Sequence, residues 1–103
     1  MKVTISDFKK NDKQDVSIEF DEFDTYNLDK TLALIILPSL KEYKRQAGRR
    51  IDMRYNNFGK NLNIMIKAFE LIIEDNCRII QKENKLIEKG LKIFASKFRS
   101  LWW

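Results

Sequence analysis

The sequence predicts an α+β fold, mostly α: an N-terminal β-hairpin or extended arm, then a three-helix antiparallel bundle with a long C-terminal helix. Three observations predict it. Apolar and polar residues alternate at 2–5 and 16–20, and from residue 27 onward apolar residues recur at helical steps of three and four. Only three glycines and one proline interrupt 103 residues, too few for a linker or a low-complexity tail. A chain of this length and 44% apolar content supports one core, so residues 1–103 read as a single domain, with 1–26 as the arm and 27–103 as the helices.

The arm comes first. Lys2-Val3-Thr4-Ile5 and Val16-Ser17-Ile18-Glu19-Phe20 alternate, and Lys9-Lys10-Asn11-Asp12-Lys13 between them is a polar turn. Val16, Ile18 and Phe20 share one face of a strand, opposite Ser17, Glu19 and Asp21. An isolated hairpin is marginal in water, so it must lie on the helices or on another chain.

Asn27 is a candidate N-cap and Gly48 a candidate stop, which frames a first helix over 28–47. Leu32-Ala33-Leu34-Ile35-Ile36-Leu37 is apolar on every side and is expected to be the most buried stretch, with Pro38 bending the helix behind it. A second helix over about 50–76 carries the seam Phe58, Leu62, Met65, Phe69 and Ile72, widened by Ile66 and Ile73. A third over about 77–101 carries Ile80, Asn84, Ile87, Leu91, Phe94, Phe98 and Leu101 at near-heptad spacing. Asn84 in that seam would set register, and Gly90 beside it is either a point of close approach or a tolerated defect.

Charge is segregated. Residues 1–34 hold five lysines and eight acids, a net −3. Residues 35–103 hold fifteen basic and seven acidic residues, a net +8, and together they give the chain's +5. Asp15, Glu19, Asp21, Glu22, Asp24 and Asp29 precede the basic run Lys41, Lys44, Arg45, Arg49, Arg50 and Arg54. Such asymmetry favours pairing within one chain or between copies.

The residue inventory argues against catalysis. Without histidine, neither a Ser-His nor a Cys-His nucleophile system can be built, and the commonest general base is missing. The lone Cys77, beside Arg78, reads as a small residue at a helix junction, and it excludes an internal disulfide or a multi-thiolate site. Glu70 and Glu74 on one helix face, with Asp75, and the acids Glu19, Asp21 and Asp24 are the remaining oxygen donors for a hard cation. A carboxylate run is more often a solvated face, so no metal or cofactor is expected. The longest apolar run, Leu32 to Leu37, is far short of a membrane span, and the opening residues lack a secretory apolar core. The chain therefore reads as a soluble domain inside a cell.

Two kinds of binding residue remain. Arg78, Lys82, Lys85, Lys89, Lys92 and Arg99 form a stripe on the last helix, expected opposite its apolar seam and suited to phosphate. No aromatic interleaves with it and no nucleic-acid motif accompanies it, so nucleic acid or a phosphorylated nucleotide is the alternative partner. The leading candidates are Trp102 and Trp103 as anchors, with Arg45, Arg49, Arg50 and Arg54 giving charge complementarity.

Three segments resemble a family of small bacteriophage proteins. Phe23-Asp24-Thr25-Tyr26-Asn27-Leu28-Asp29-Lys30-Thr31-Leu32-Ala33-Leu34-Ile35-Ile36-Leu37-Pro38-Ser39-Leu40-Lys41 is similar to its aromatic, D-x-T-L-A-x-I-I-x-P-x-L-K segment. Met65-Ile66-Lys67-Ala68-Phe69-Glu70 is similar to its M-I-x-A-F-E helix, and 90–102 to its aromatic last helix. Tryptophans of the first two motifs are replaced here by Phe23, Tyr26, Tyr55 and Phe58, and Arg49-Arg50 stands where the family has an acidic insertion. The resemblance implies a phage origin and a place in the host bacterial cytoplasm or the virion; it carries no activity with it. The expectation is a non-catalytic interaction module, a homodimer or higher oligomer, that also binds a host or virion protein. A counter-defence role fits by analogy.

Overall fold

The computed structural model describes residues 1–7, 14–74 and 81–102. Two strands, β1 (Lys2–Ile5) and β2 (Val16–Glu19), precede a short helix α1 (Glu22–Tyr26), then α2 (Leu28–Ala47), α3 (Phe58–Glu74) and α4 (Gln81–Lys97). Single 3-10 turns stand before α3 (Tyr55–Asn57) and after α4 (Phe98–Ser100). The fold is α+β and mostly helical, as the sequence predicts, with one helix more than the three expected. The turn at 9–13 and the junction around Cys77, Arg78 and Ile80 lie outside the described residues.

β1 and β2 pair antiparallel with Val3 opposite Ile18 and Ile5 opposite Val16. That register puts all four apolar side chains on one face. Beyond the strands, Ser6 Oγ accepts from the Asp15 amide at 2.8 Å and the Ser6 amide donates to the Asp15 carbonyl at 2.9 Å.

The acidic segment after β2 does not stay extended. Asp21 and Asp24 form a reciprocal capping box, each carboxylate accepting from the other's amide at 2.9 Å, which starts α1. Asn27 precedes α2 but makes no side-chain cap; instead the Thr31 hydroxyl donates to the Asp24 carbonyl at 2.7 Å, tying α1 to α2. α2 ends at Gly48 as expected, in right-handed backbone rather than a left-handed cap. It runs through Pro38, and the Ser39 hydroxyl donates to the Ile35 carbonyl at 2.7 Å.

α3 begins eight residues later than the sequence suggests. Residues 48–57 form a turn in which the Asp52 carboxylate accepts from the Arg54 amide and Asn56 and Asn57 adopt left-handed backbone. The Gly59 amide closes it on the Met53 carbonyl at 2.7 Å, and a Cβ on Gly59 would press on Met53 at 3.1 Å.

α3 is the centre of the molecule. Leu62, Met65, Ala68, Phe69 and Leu71 are buried on it, joined by Ala33, Leu40 and Ala47 from α2 and Ile87 from α4. α2 runs antiparallel along one side, where Lys41 pairs with Glu70 at 3.6 Å while Lys44 reaches Asn63. α4 runs antiparallel along the other, with Phe94 edge-on to Phe69 at 5.1 Å. At Gly90 the helices touch: a Cβ there would sit 2.3 Å from the Ala68 Cβ, so the glycine is a point of close approach.

That contact turns α4 on its axis. Its fully or partly buried residues are Glu83, Leu86, Ile87, Gly90, Ile93 and Phe94, about 70° from the expected seam at 100° per residue. Asn84, Leu91 and Phe98 are consequently exposed. The Leu32–Leu37 block is also not the most buried stretch. Leu32 and Leu34 are 44% and 54% exposed, because beyond the short α1 at its start α2 leans on α3 alone among the described residues, and an all-apolar run cannot turn every side toward one neighbour.

Candidate interaction site

α2 and α4 both pack on α3 and, among the described residues, not along one another. Between them lies an open apolar groove of about 250 Å³, walled by Ile35, Ile36 and Tyr43 on α2, by Phe94 on α4 and by Phe98 just past its end, with Leu101 beyond. Leu62, Met65 and Phe69 form the core between these flanks, with Ile36, Tyr43, Phe94 and Leu101 packed against them. By the helical period, Leu28 and Leu32 continue the same face of α2 toward its start and Leu91 stands one turn before Phe94 on α4, all at least 40% exposed. Among the described residues, Ser39 is the polar neighbour in the groove besides the Tyr43 phenol. Burial lifts the Tyr43 phenol above its ordinary value, and the bond to the Trp102 carbonyl at 3.1 Å acts against that.

The arm is the second apolar surface. Among the described residues neither strand packs against a helix. Val3, Ile5, Val16, Ile18 and Phe20 are 39–57% exposed, and Phe23 and Tyr26 of α1 more so. The radius of gyration, 15.4 Å, exceeds the ~13 Å expected of a compact domain of this length, as a projecting arm requires. The Met1 amine meets the Asp24 carboxylate at 2.9 Å, which raises the pKa of the amine and, with the Asp21 amide as the larger cause, lowers that of the carboxyl.

The predicted site residues scatter. Trp102 is tied through its backbone, its carbonyl to Tyr43 and its amide to the Ser100 carbonyl at 2.9 Å, while its indole is 73% exposed. It stands at the mouth of a second hollow of about 200 Å³ that includes Tyr55, Asn56 and Lys97. Trp103 lies outside the described residues. The arginines do not form one free cluster. Arg45 holds Glu42 at 3.0 Å through its Nε, Arg54 holds Asp52 at 3.3 Å, and Arg49 and Arg50 sit in the exposed turn between them. Bonds from Arg45 and Gln46 depress the Glu42 carboxyl to about 2.

The lysine stripe is divided. Lys82, Lys85 and Lys89 border a shallow groove of about 630 Å³ against α3, opposite Lys67 and shared with Glu74 and Glu83. Lys92 lies on the face of α4 opposite α3, Arg99 is exposed in the turn after α4, and Arg78 lies outside the described residues. Of the candidate carboxylates, Asp75 lies outside the described residues and Glu70 is held by both Lys41 and Lys67; among the described residues no three acidic or cysteine side chains converge. None of the described helices is long and apolar enough to cross a membrane.

The sequence missed the groove and the short helix α1. The capping pair Asp21 and Asp24 could have disclosed the helix. The groove had no local signal, because it follows from which face of α4 Gly90 turns inward. Compared with known protein families, curated proteins and solved structures, the chain matches none.

Proposed function

We propose that this chain is a non-catalytic interaction module that self-associates through its apolar surfaces and presents the resulting assembly to a further protein partner. The observation that carries the reading is the apolar surface left on a 103-residue chain in two regions, the arm face and the α2–α4 groove. Contiguous exposed apolar surface of this kind marks sites of association. The exposed Trp102 indole and the Tyr55 ring beside it suit an anchor in such a contact. The phage setting, with a host or virion protein as that partner, rests on the motifs at residues 23–41, 65–70 and 90–102. Size-exclusion chromatography with light scattering tests self-association: a dimer or larger species at high micromolar concentration is expected, and a monomer throughout overturns it.

A second reading is favoured by one observation, the meeting of Lys67 with Lys82, Lys85 and Lys89 around a single groove. It gives phosphate or nucleic-acid binding that weakens steeply with salt. Replacing Lys67, Lys82, Lys85 and Lys89 with glutamine must abolish that binding; an unchanged isotherm removes the reading.

A further inference from the structure

We infer that the occupant of the α2–α4 groove is the N-terminal arm of a second copy of this chain, given reciprocally, so that two copies exchange arms. The inference rests on the self-association reading and names the surfaces that carry it. The two parts are complementary in kind. The arm offers a flat apolar face made of Val3, Ile5, Val16 and Ile18, extended by Phe20, that its own helices leave uncovered. The groove offers apolar walls and, among the described residues, no charged side chain in its lining.

They are also complementary in size and charge. Four-residue strands are about 13 Å long and a sheet packs at about 10 Å from its neighbouring layer. The α2 wall from Ile35 to Tyr43 is about 12 Å long. Three helices that form one layer around α3 leave one side without a second layer, and a two-stranded sheet from outside supplies it. Outside the contact, the arm belongs to a segment of net −3 and the groove to a segment of net +8. Glu19 faces away from Ile18 on β2, so the acids of the strand stay in solvent while their field steers the arm toward the basic body.

A mixing experiment with full-length chains tests the exchange. Ile18→Asp spoils the arm, Phe98→Glu spoils the groove, and Leu91→Glu is a second groove variant. All three side chains are 40–60% exposed, and circular dichroism checks that the helices persist. Each variant alone is expected to raise the dimer dissociation constant roughly a hundredfold, since both of its reciprocal contacts are damaged. Mixing Ile18→Asp with Phe98→Glu restores association, because the intact arm of one chain meets the intact groove of the other. A wild-type dimer that Ile18→Asp leaves unchanged, or variants that fail to complement, overturns arm exchange and leaves self-association standing. A wild-type monomer overturns both.

Discussion

Gly90 sets the face that α4 turns inward, so Gly90→Ala is the sharpest single perturbation of the fold. On an exposed helix the change stabilises by about 1 kcal/mol, because alanine restricts the unfolded chain and favours the helix. Here the new methyl would lie 2.3 Å from the Ala68 Cβ and 3.0 Å from the Ile64 carbonyl oxygen. Neither atom can rotate away, so an ordinary carbon contact of about 3.5 Å requires the helices to part by roughly 1 Å. Parting would loosen Phe69 against Phe94 and expose Ile87. Overpacking of this kind costs about 3 kcal/mol at the upper end, which leaves a net loss of about 2 kcal/mol after the propensity gain. Thermal unfolding should fall by roughly 10 °C. Adding Ala68→Gly removes the opposing methyl, so the double variant should recover part of that loss despite a second glycine in a helix. A Gly90→Ala protein as stable as the wild type would refute the close approach, and with it the rotation of α4 that exposes Leu91 and Phe98.

Three further outcomes follow from the same geometry. Leu40→Ala, at a position 3% exposed, should cost about 3 kcal/mol in urea unfolding, whereas Leu34→Gln, six residues earlier and 54% exposed, should change it by about 0.5 kcal/mol or less. The Glu42 carboxyl, at about 2 in the folded chain against an ordinary 4.5, binds its proton later than in the unfolded chain. Its contribution is therefore complete above 4.5 and lost as pH falls from there through about 2; Glu42→Gln should flatten that part of the urea midpoint against pH. Asp21→Ala should remove the cap of α1, seen as faster hydrogen exchange at the Asp24 amide with that of α3 unchanged.

How much of this was legible depended on whether a signal was local. Alternation in Val16–Glu19 and the Asn27 and Gly48 boundaries of α2 stand in the sequence, since each is set by neighbours a few residues away. The seam Leu62, Met65 and Phe69 also reads directly, because α3 is covered on two sides and its periodicity reports one broad face. α4 misled for the opposite reason. Its heptad-like apolar residues Leu91 and Phe98 mark a face that the protomer leaves open, while the contact itself is made by a glycine and an alanine that carry no hydropathic weight. The turn at 48–57 has no helical apolar signal of its own: the helical pattern begins at Phe58, and the turn is made by Asp52, Asn56 and Asn57. The scattered arginines show the same limit: sequence neighbours on a basic run became separate ion pairs once Glu42 and Asp52 were placed beside them.

The central claim is that another copy of the chain covers the arm. Amide hydrogen exchange on the wild-type protein across a dilution series tests it most directly. The hydrogen-bonded amides of β1 and β2 should be protected at high concentration and lose protection on dilution, while those of α3 hold theirs throughout. Strand protection that is the same at every concentration would contradict it.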